Sequence, residues 1–140
     1  RRQFTRVSAE RVVSGPGLSA IYQSLAALEG RPVAEHTDAE LWASALDGTD
    51  SLAAAAFERF CLSFGTVAGD IVLAQGGKAL VIAGGLGLRI ADRLGQSGFA
   101  MRFSAKGRFQ RLMESIPVRI IAHPQPGLFG AAAAFTREFA

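Results

Sequence analysis

The chain has 140 residues, and about half of them are apolar, which is enough for one domain with a single core. The net charge is only +3, and the basic residues are scattered except between Arg102 and Arg111, so a nucleic-acid partner has little support. The most apolar stretch, residues 79–88, is about half as long as the roughly 20 residues of a membrane span. We therefore expect a soluble protein with neither a nucleic-acid nor a membrane partner.

The first residues and the cysteine content bear on location and metal binding. Arg1, Arg2 and Gln3 include no initiator Met, and no unbroken apolar region of a signal peptide follows them, so we expect an internal start. Cys61 is the only cysteine, so it cannot form an internal disulfide, and no Cys or His stands beside it at metal-site spacing. These features predict a cytoplasmic location and no metal site in this chain.

Apolar spacing and helix-capping residues predict that the first half of the chain is helical throughout. Thr37 and Glu40 form the capping-box pattern that opens a helix, because each can satisfy a free amide of the first turn. In chain order we expect a short helical turn after Ser8, a corner at Gly15-Pro16-Gly17, a helix from Leu18 that Gly30 ends, and a helix after Thr37 that Gly48 ends.

A longer helix is predicted from Leu52 to Leu73, where the apolar residues form a broad stripe that includes Ile71. Gly65 and Gly69 lie inside this stripe, and each costs about 1 kcal/mol of helix propensity relative to alanine. Glycines at such a cost need a structural reason. We predict that another backbone approaches the helix closely at this point.

The second half of the chain alternates predicted strands with predicted helices. Residues 79–83 and 118–122 are short apolar runs rich in Val and Ile, as in buried parallel strands. The predicted helices cover residues 86–94, the segment from Phe109 to Ile116 that Pro117 terminates, and residues 126–139. This order predicts a helix-rich α/β fold with a small parallel sheet.

The pattern that most clearly suggests a ligand site is Gly84-Gly85-Leu86, which follows the first predicted strand. Glycines at the carboxyl end of a parallel strand let a phosphate or ribose approach the backbone where a helix begins. A plain strand-to-helix turn needs glycine just as often, so both interpretations stay open. The dinucleotide fingerprint does not fit, because Ile90 stands where its third glycine is required.

The sequence contains no recognisable catalytic pair. Asp70 in the long helix and His123 after the second strand lie in apolar segments, but neither has a partner visible in the sequence. We expect both to be solvated or hydrogen-bonded structural residues. The basic run between Arg102 and Arg111 is predicted to be a solvated helix face, with Phe109 on the opposite, apolar face.

The order of short landmarks along the chain resembles the C-terminal part of bacterial glucokinases, in the branch without a Cys-rich zinc loop. The landmarks are the stretch from Ser8 to Leu18, Ile82-Ala83-Gly84-Gly85, Lys106-Gly107-Arg108-Phe109, Ile116-Pro117-Val118, and Pro126-Gly127-Leu128 with Gly130-Ala131. Each piece is unspecific by itself, but their joint order covers nearly the whole chain.

The resemblance implies an actin-like ATPase (ribonuclease H-like) fold, in which two α/β lobes close on sugar and ATP. It implies a homodimeric, ATP- and Mg²⁺-dependent hexose kinase that converts glucose to glucose 6-phosphate in glycolysis. By the same resemblance, Gly84 and Gly85 correspond to the adenosine motif. The helix with Gly65 and Gly69 corresponds to the segment at the interlobe hinge.

The chain lacks two phosphate loops of that family, Asp-x-Gly-Gly-Thr and Gly-Thr-Gly. The resemblance implies that the catalytic Asp and the sugar-binding cluster lie upstream of Arg1. Because phosphoryl transfer depends on positioning and electrostatics around the phosphates, residues 1–140 are expected to be one partial domain, inactive alone. Two alternatives remain: a non-catalytic interaction domain of the same fold, and another sugar or acetate kinase of the superfamily.

Overall fold

The structure, a computed structural model, describes residues 5–33 and 35–139; Arg1, Arg2 and Gln3 lie outside this part. The described part contains helices, one 3-10 turn at Gly107–Phe109 and a two-stranded parallel sheet. The elements are α1 (Ala9–Val12), α2 (Gly17–Glu29), α3 (Asp38–Asp47), α4 (Ser51–Gln75), β1 (Leu80–Ile82), α5 (Gly85–Leu94), α6 (Phe99–Ser104), α7 (Gln110–Glu114), β2 (Val118–Ile120) and α8 (Pro126–Phe139). The predicted helix-rich α/β class with a small parallel sheet is confirmed.

The ends of the early helices follow from local chemistry. The hydroxyl of Thr37 accepts a hydrogen bond from the amide of Glu40, whose carboxylate accepts one from the amide of Thr37, so the capping box is formed. Gly30 and Gly48 end α2 and α3 with φ of 64° and 74°, a left-handed conformation that glycine adopts without a steric penalty. These ends lie where the sequence predicts them.

Asp50 joins the start of α4 to α2. Its carboxylate accepts hydrogen bonds from the amides of Leu52 and Ala53, at 2.7 and 3.1 Å, and from the hydroxyl of Tyr22 at 3.2 Å. Burial raises the pKa of Asp50, but these three hydrogen bonds outweigh it and leave the pKa below its usual value. The same carboxylate therefore caps one helix and fastens another.

The amino-terminal half of α4 carries the largest part of the core. Phe57 and Phe60 stack with each other, and Trp42 of α3 meets Phe60 edge-on with ring centroids 5.4 Å apart. The indole N–H of Trp42 donates to the carbonyl of Gly15 at 3.1 Å, which fixes the corner before α2. The predicted apolar stripe is thus largely buried, although Ile71, predicted to belong to it, is 58% exposed.

Gly65 and Gly69 are the points where α6 contacts α4. A methyl group added at Gly65 would overlap the carbonyl oxygen of Phe99, and one added at Gly69 would overlap the carbonyl oxygen of Phe103. The predicted close approach of another backbone is confirmed. Sequence periodicity did not predict α6 itself, because a helix of six residues is too short to display a period.

Lys106, which follows the carboxyl-terminal end of α6, also stabilises the contact between α6 and α4. Its side chain is only 8% exposed, and its ammonium lies 2.7 Å from the carboxylate of Asp70 and donates to the carbonyl of Thr66 at 2.9 Å. The expectation of a solvated basic face is wrong for Lys106, because the missing side chain of Gly69 leaves room for its aliphatic stem. The expectation that Asp70 is a bonded structural residue is confirmed.

The segment after Lys106 differs from the single helix predicted between Phe109 and Ile116. It forms the 3-10 turn followed by the short α7, in which Met113 is buried. Phe109, predicted on the apolar face, is 39% exposed, and the guanidinium of Arg108 lies 4.9 Å from its ring centroid. Gly107, whose φ of 56° is unfavourable within a right-handed helix, separates this segment from α6.

The sheet brings the two halves of the α/β segment together. β1 pairs in parallel with β2, with Leu80 opposite Val118 and Ile82 opposite Ile120. Each strand has three residues, fewer than the five predicted, and β1 ends just before the chain bends into its glycine turn. The carboxyl end of β1 therefore leads directly into α5.

The first prediction concerns Gly65→Ala. A methyl group there would push α6 away from α4, and overpacking of this kind costs about 1–3 kcal/mol, which exceeds the gain in helix propensity of about 1 kcal/mol. We expect a lower free energy of unfolding in urea. Gly130→Ala in α8, where no atom lies within 4 Å of the added methyl group, is the control and should be neutral or stabilising. A Gly65→Ala protein as stable as the wild type would contradict the prediction.

Candidate functional site at the turn from β1 to α5

The turn after β1 depends on the backbone conformation of Gly84. Gly84 has φ 91° and ψ 175°, and it is the N-cap residue of α5. Residues with a side chain rarely adopt this conformation, so the sharp change of direction between strand and helix needs glycine here. The amide of Leu88 donates to the carbonyl of Gly84 at 3.1 Å, which closes the first helical turn.

The amino-terminal end of α5 is open. Gly84 and Gly85 are exposed, and a Cβ atom added at Gly85 would have no neighbouring atom within 4 Å. Among the residues that the structure describes, no side chain caps the helix, and its first turn contains no acidic residue. The free amides and the positive end of the helix dipole thus face open space, an arrangement suited to a phosphate or to hydroxyl oxygens.

The next two residues face inward. Gly87 is buried, and a Cβ atom added there would lie 2.9 Å from Cγ2 of Ile82, so the helix rests directly on β1. The side chain of Leu86 is half-buried and packs against the core. The structure thus brings the predicted site residues Gly84, Gly85 and Leu86 together in one turn, where the side chain of Leu86 packs towards the core. Ligand contact by these residues stays a prediction.

The connection from α5 to α6 is fixed to α4 by Glu58, a contact that sequence reasoning missed. The carboxylate of Glu58 accepts a hydrogen bond from the amide of Gly98 at 2.9 Å, at the start of α6. The hydroxyl of Ser97 donates a hydrogen bond to the carbonyl of Leu94 at 2.7 Å and accepts one from the amide of Phe99 at 3.2 Å. The available signal was the Ser97-Gly98 pair, which is typical of a helix start. This anchoring holds α5, and with it the glycine turn, in place.

Arg89 fixes the middle of α5. Its guanidinium carbon lies 5.3 Å from the ring centroid of Trp42 in α3, a distance at which a cation is attracted to the face of an aromatic ring. Arg89 stands one turn after Gly85 and is exposed. Arg89 thus links the helix to α3, while the amino-terminal end of the helix stays accessible.

The other chemically interesting residues serve packing. Nδ1 of His123 accepts a hydrogen bond from the amide of Gln125 at 3.0 Å, and its ring lies 5.2 Å from that of Phe129. Cys61 is fully buried, and burial raises the pKa of its thiol to about 11, against a smaller opposing effect of the hydrogen bond with Ser97.

Within residues 5–33 and 35–139, no group of three or more His, Cys, Asp or Glu side chains could hold a metal ion.

An apolar hollow of about 330 Å³ lies apart from the glycine turn, between α1, α4 and β1. It is lined by Ala9, Glu10, Val13, Phe64, Val67, Ala68, Ile71 and Leu80. Among the described residues of this lining, Glu10 is the one charged residue, so they do not bring together groups for chemistry.

Comparison with known proteins decides the family. The family model for glucokinase matches residues 1–138. This chain belongs to the glucokinase family. It is 57% identical over 139 residues to a glucokinase of Zymomonas mobilis and 46% identical over 135 residues to one of Caulobacter vibrioides, matches that include 99% and 95% of this chain. They cover 43% and 40% of those relatives, so the chain spans about two fifths of their length.

A solved structure repeats the arrangement of the glucokinase-family elements described above. The crystal structure of glucokinase from an Antarctic psychrotroph is similar with a TM-score of 0.86 at 34% sequence identity. The match covers 98% of this chain and 43% of the solved one. In the part of the chain that the structure describes, no helix combines the length and the apolar character needed to cross a membrane.

Proposed function

We propose that this chain is the C-terminal, nucleotide-side portion of an ATP-dependent glucokinase, which phosphorylates glucose to glucose 6-phosphate in glycolysis in the cytoplasm. The observation that carries the proposal is the glucokinase family match over residues 1–138, together with an open glycine turn at the start of a helix. Residues 1–140 then form a partial domain of a longer enzyme, in line with their share of the relatives' length.

In this proposal the turn at Gly84 and Gly85 binds the adenosine part of ATP. The absence of side chains at these two positions lets the ligand approach the backbone, and the amides at the start of α5 donate hydrogen bonds to its oxygens. Glu58 and Arg89 act indirectly, since they hold α5 in the position that keeps those amides accessible.

Magnesium does not fit the residues described here. Mg²⁺ prefers carboxylate oxygens together with phosphates of the substrate. Neither the glycine turn nor the rest of the described chain brings together a carboxylate cluster that could hold it. The proposal therefore assigns no ligand of Mg²⁺ to residues 1–140. It also assigns them no catalytic base, because the resemblance places the family's catalytic Asp upstream of Arg1 and the sequence contains no recognisable catalytic pair.

The second prediction is that the full-length parent phosphorylates glucose with magnesium and ATP, whereas residues 1–140 alone do not. The reason is that the isolated chain has no phosphate loops to position the reacting groups. A coupled assay with a panel of hexoses and acetate measures both proteins against a heat-inactivated control. Turnover by the isolated chain, or a parent that prefers another substrate or has no activity, would contradict this prediction.

The third prediction concerns Gly85→Val in the parent enzyme. The added side chain points into open space, so the fold should tolerate it, but it would occupy the approach to the amides of α5. Loss of one or two hydrogen bonds of about 1 kcal/mol each should raise the KM for ATP by roughly 5- to 30-fold. The KM for glucose should change less.

The matched control for that experiment is Gly95→Val, at the opposite end of α5. Gly95 has φ −67° and also has no neighbouring atom within 4 Å of an added Cβ atom. The Gly95→Val enzyme should keep the wild-type KM for ATP. If a folded Gly85→Val enzyme keeps it as well, the glycine turn is only structural.

The proposal extends to association of two copies, because β1 has an open edge. Within the described residues β1 pairs only with β2, and Val81 is 57% exposed. A sheet of two short strands is marginal, and an unpaired edge favours pairing with another chain.

The fourth prediction is that the isolated chain self-associates, and that the parent is a homodimer, the simplest closed arrangement. Light scattering at several micromolar concentrations measures the mass of each protein. A mass that stays at the monomer value of 14.7 kDa for the isolated chain would contradict the first part of this prediction.

A further inference from the structure

The first turn of α5 has little side-chain packing of its own. Gly84 and Gly85 are exposed, and a Cβ atom added at either position would have no neighbouring atom within 4 Å. Gly87 rests on β1, but the buried side chains of α5, Ile90 and Leu94, lie further along the helix. The end of α5 that is open to a ligand is therefore the end that packs least, and a contact in the next turn is needed to fix its direction.

Arg89 makes the contact of that next turn with α3. It follows Gly85 by one helical turn and lies on the same side of the helix. Its guanidinium carbon lies 5.3 Å from the ring centroid of Trp42. Among the described residues, no carboxylate forms an ion pair with Arg89. The aromatic ring is thus the group that holds the charged end of this side chain.

Trp42 offers Arg89 a fixed surface. Its side chain is 2% exposed, and its ring meets Phe57 and Phe60 edge-on, with centroid distances of 6.2 and 5.4 Å. The indole N–H donates a hydrogen bond to the carbonyl of Gly15 at 3.1 Å. Because these contacts hold the ring in one orientation, the guanidinium that lies on it is held as well.

We propose that Trp42 is a positioning residue for the nucleotide site, although it belongs to α3 rather than to the glycine turn. Through Arg89 it fixes the direction of α5, and with it the direction in which the free amides point. The inference rests on the proposed function, since it takes the glycine turn as the ATP site. Without this contact α5 would occupy several orientations, and the apparent affinity for ATP would fall with the fraction of molecules that present the amides correctly.

The fifth prediction compares Arg89→Met with Arg93→Met in the parent enzyme. Loss of an exposed cation–π contact corresponds to a factor of roughly 2 to 5, so the KM for ATP should rise by this factor in Arg89→Met, while the KM for glucose and kcat stay nearly unchanged. Arg89→Lys, which keeps a cation, should restore part of the affinity. Arg93 is an exposed arginine of the same helix without an aromatic contact among the described residues, and its variant should keep the wild-type KM for ATP.

A double-mutant cycle separates positioning through Trp42 from a direct contact between Arg89 and ATP. If Arg89 acts through Trp42, Trp42→Leu should raise the KM for ATP in the wild-type background but not in the Arg89→Met background, because both changes remove the same contact. Additive effects would overturn the proposal. If the Trp42→Leu enzyme does not fold, Trp42→Phe takes its place in the cycle, with the same expectation and a smaller effect.

Amide hydrogen exchange of the parent without ATP tests the anchoring of α5 apart from the proposed function. The amide of Leu88, which bonds to the carbonyl of Gly84, should exchange roughly 2- to 5-fold faster in Arg89→Met than in Arg93→Met. Unchanged exchange would overturn the proposal, as would an unchanged KM for ATP in Arg89→Met when Gly85→Val raises it. Faster exchange with an unchanged KM in both Arg89→Met and Gly85→Val would refute the ATP site itself, and not the anchoring of α5 by Trp42.

Discussion

The contact between α4 and α6 is the constraint on which the second half of the structure depends. Two backbones approach each other closely because Gly65 and Gly69 have no side chains, and polar groups secure the contact at both ends. At the start of α6, the carboxylate of Glu58 accepts a hydrogen bond from the amide of Gly98. Just after α6 ends, Lys106 forms an ion pair with Asp70 and donates a hydrogen bond to the backbone of α4. With α6 held in this way, the chain returns along a defined path and β2 reaches β1 in parallel register.

The glycine turn is a second consequence of the same arrangement. α5 is held by packing of Gly87 on β1 and by Arg89 on Trp42, so its amino-terminal end does not need contacts of its own. The exposed positions Gly84 and Gly85 can therefore stay without side chains and without a capping partner, at some cost in stability. A site that offers free backbone amides to a ligand requires this kind of support from the surrounding helices.

Three apolar surfaces are exposed in the described part of the chain. The edge of β1, the hollow beside it and the exposed face of α8 all belong to a chain that spans about two fifths of its relatives' length. By contrast, the core around Trp42 and Phe60 is complete within the chain, with side chains 2% and 0% exposed. The helices α2, α3 and α4 therefore form a buried core within the described residues.

The sequence alone determined the features that depend on neighbouring residues. The capping box at Thr37, the glycine ends of the helices and the strand-to-helix turn at Gly84 are encoded locally, and a wide apolar stripe is enough to identify α4. Tertiary structure alone decided the existence of α6 and the burial of Lys106. A six-residue helix has too few residues for a detectable period, and a lysine is buried only where a distant glycine leaves room for its stem and a distant carboxylate receives its charge.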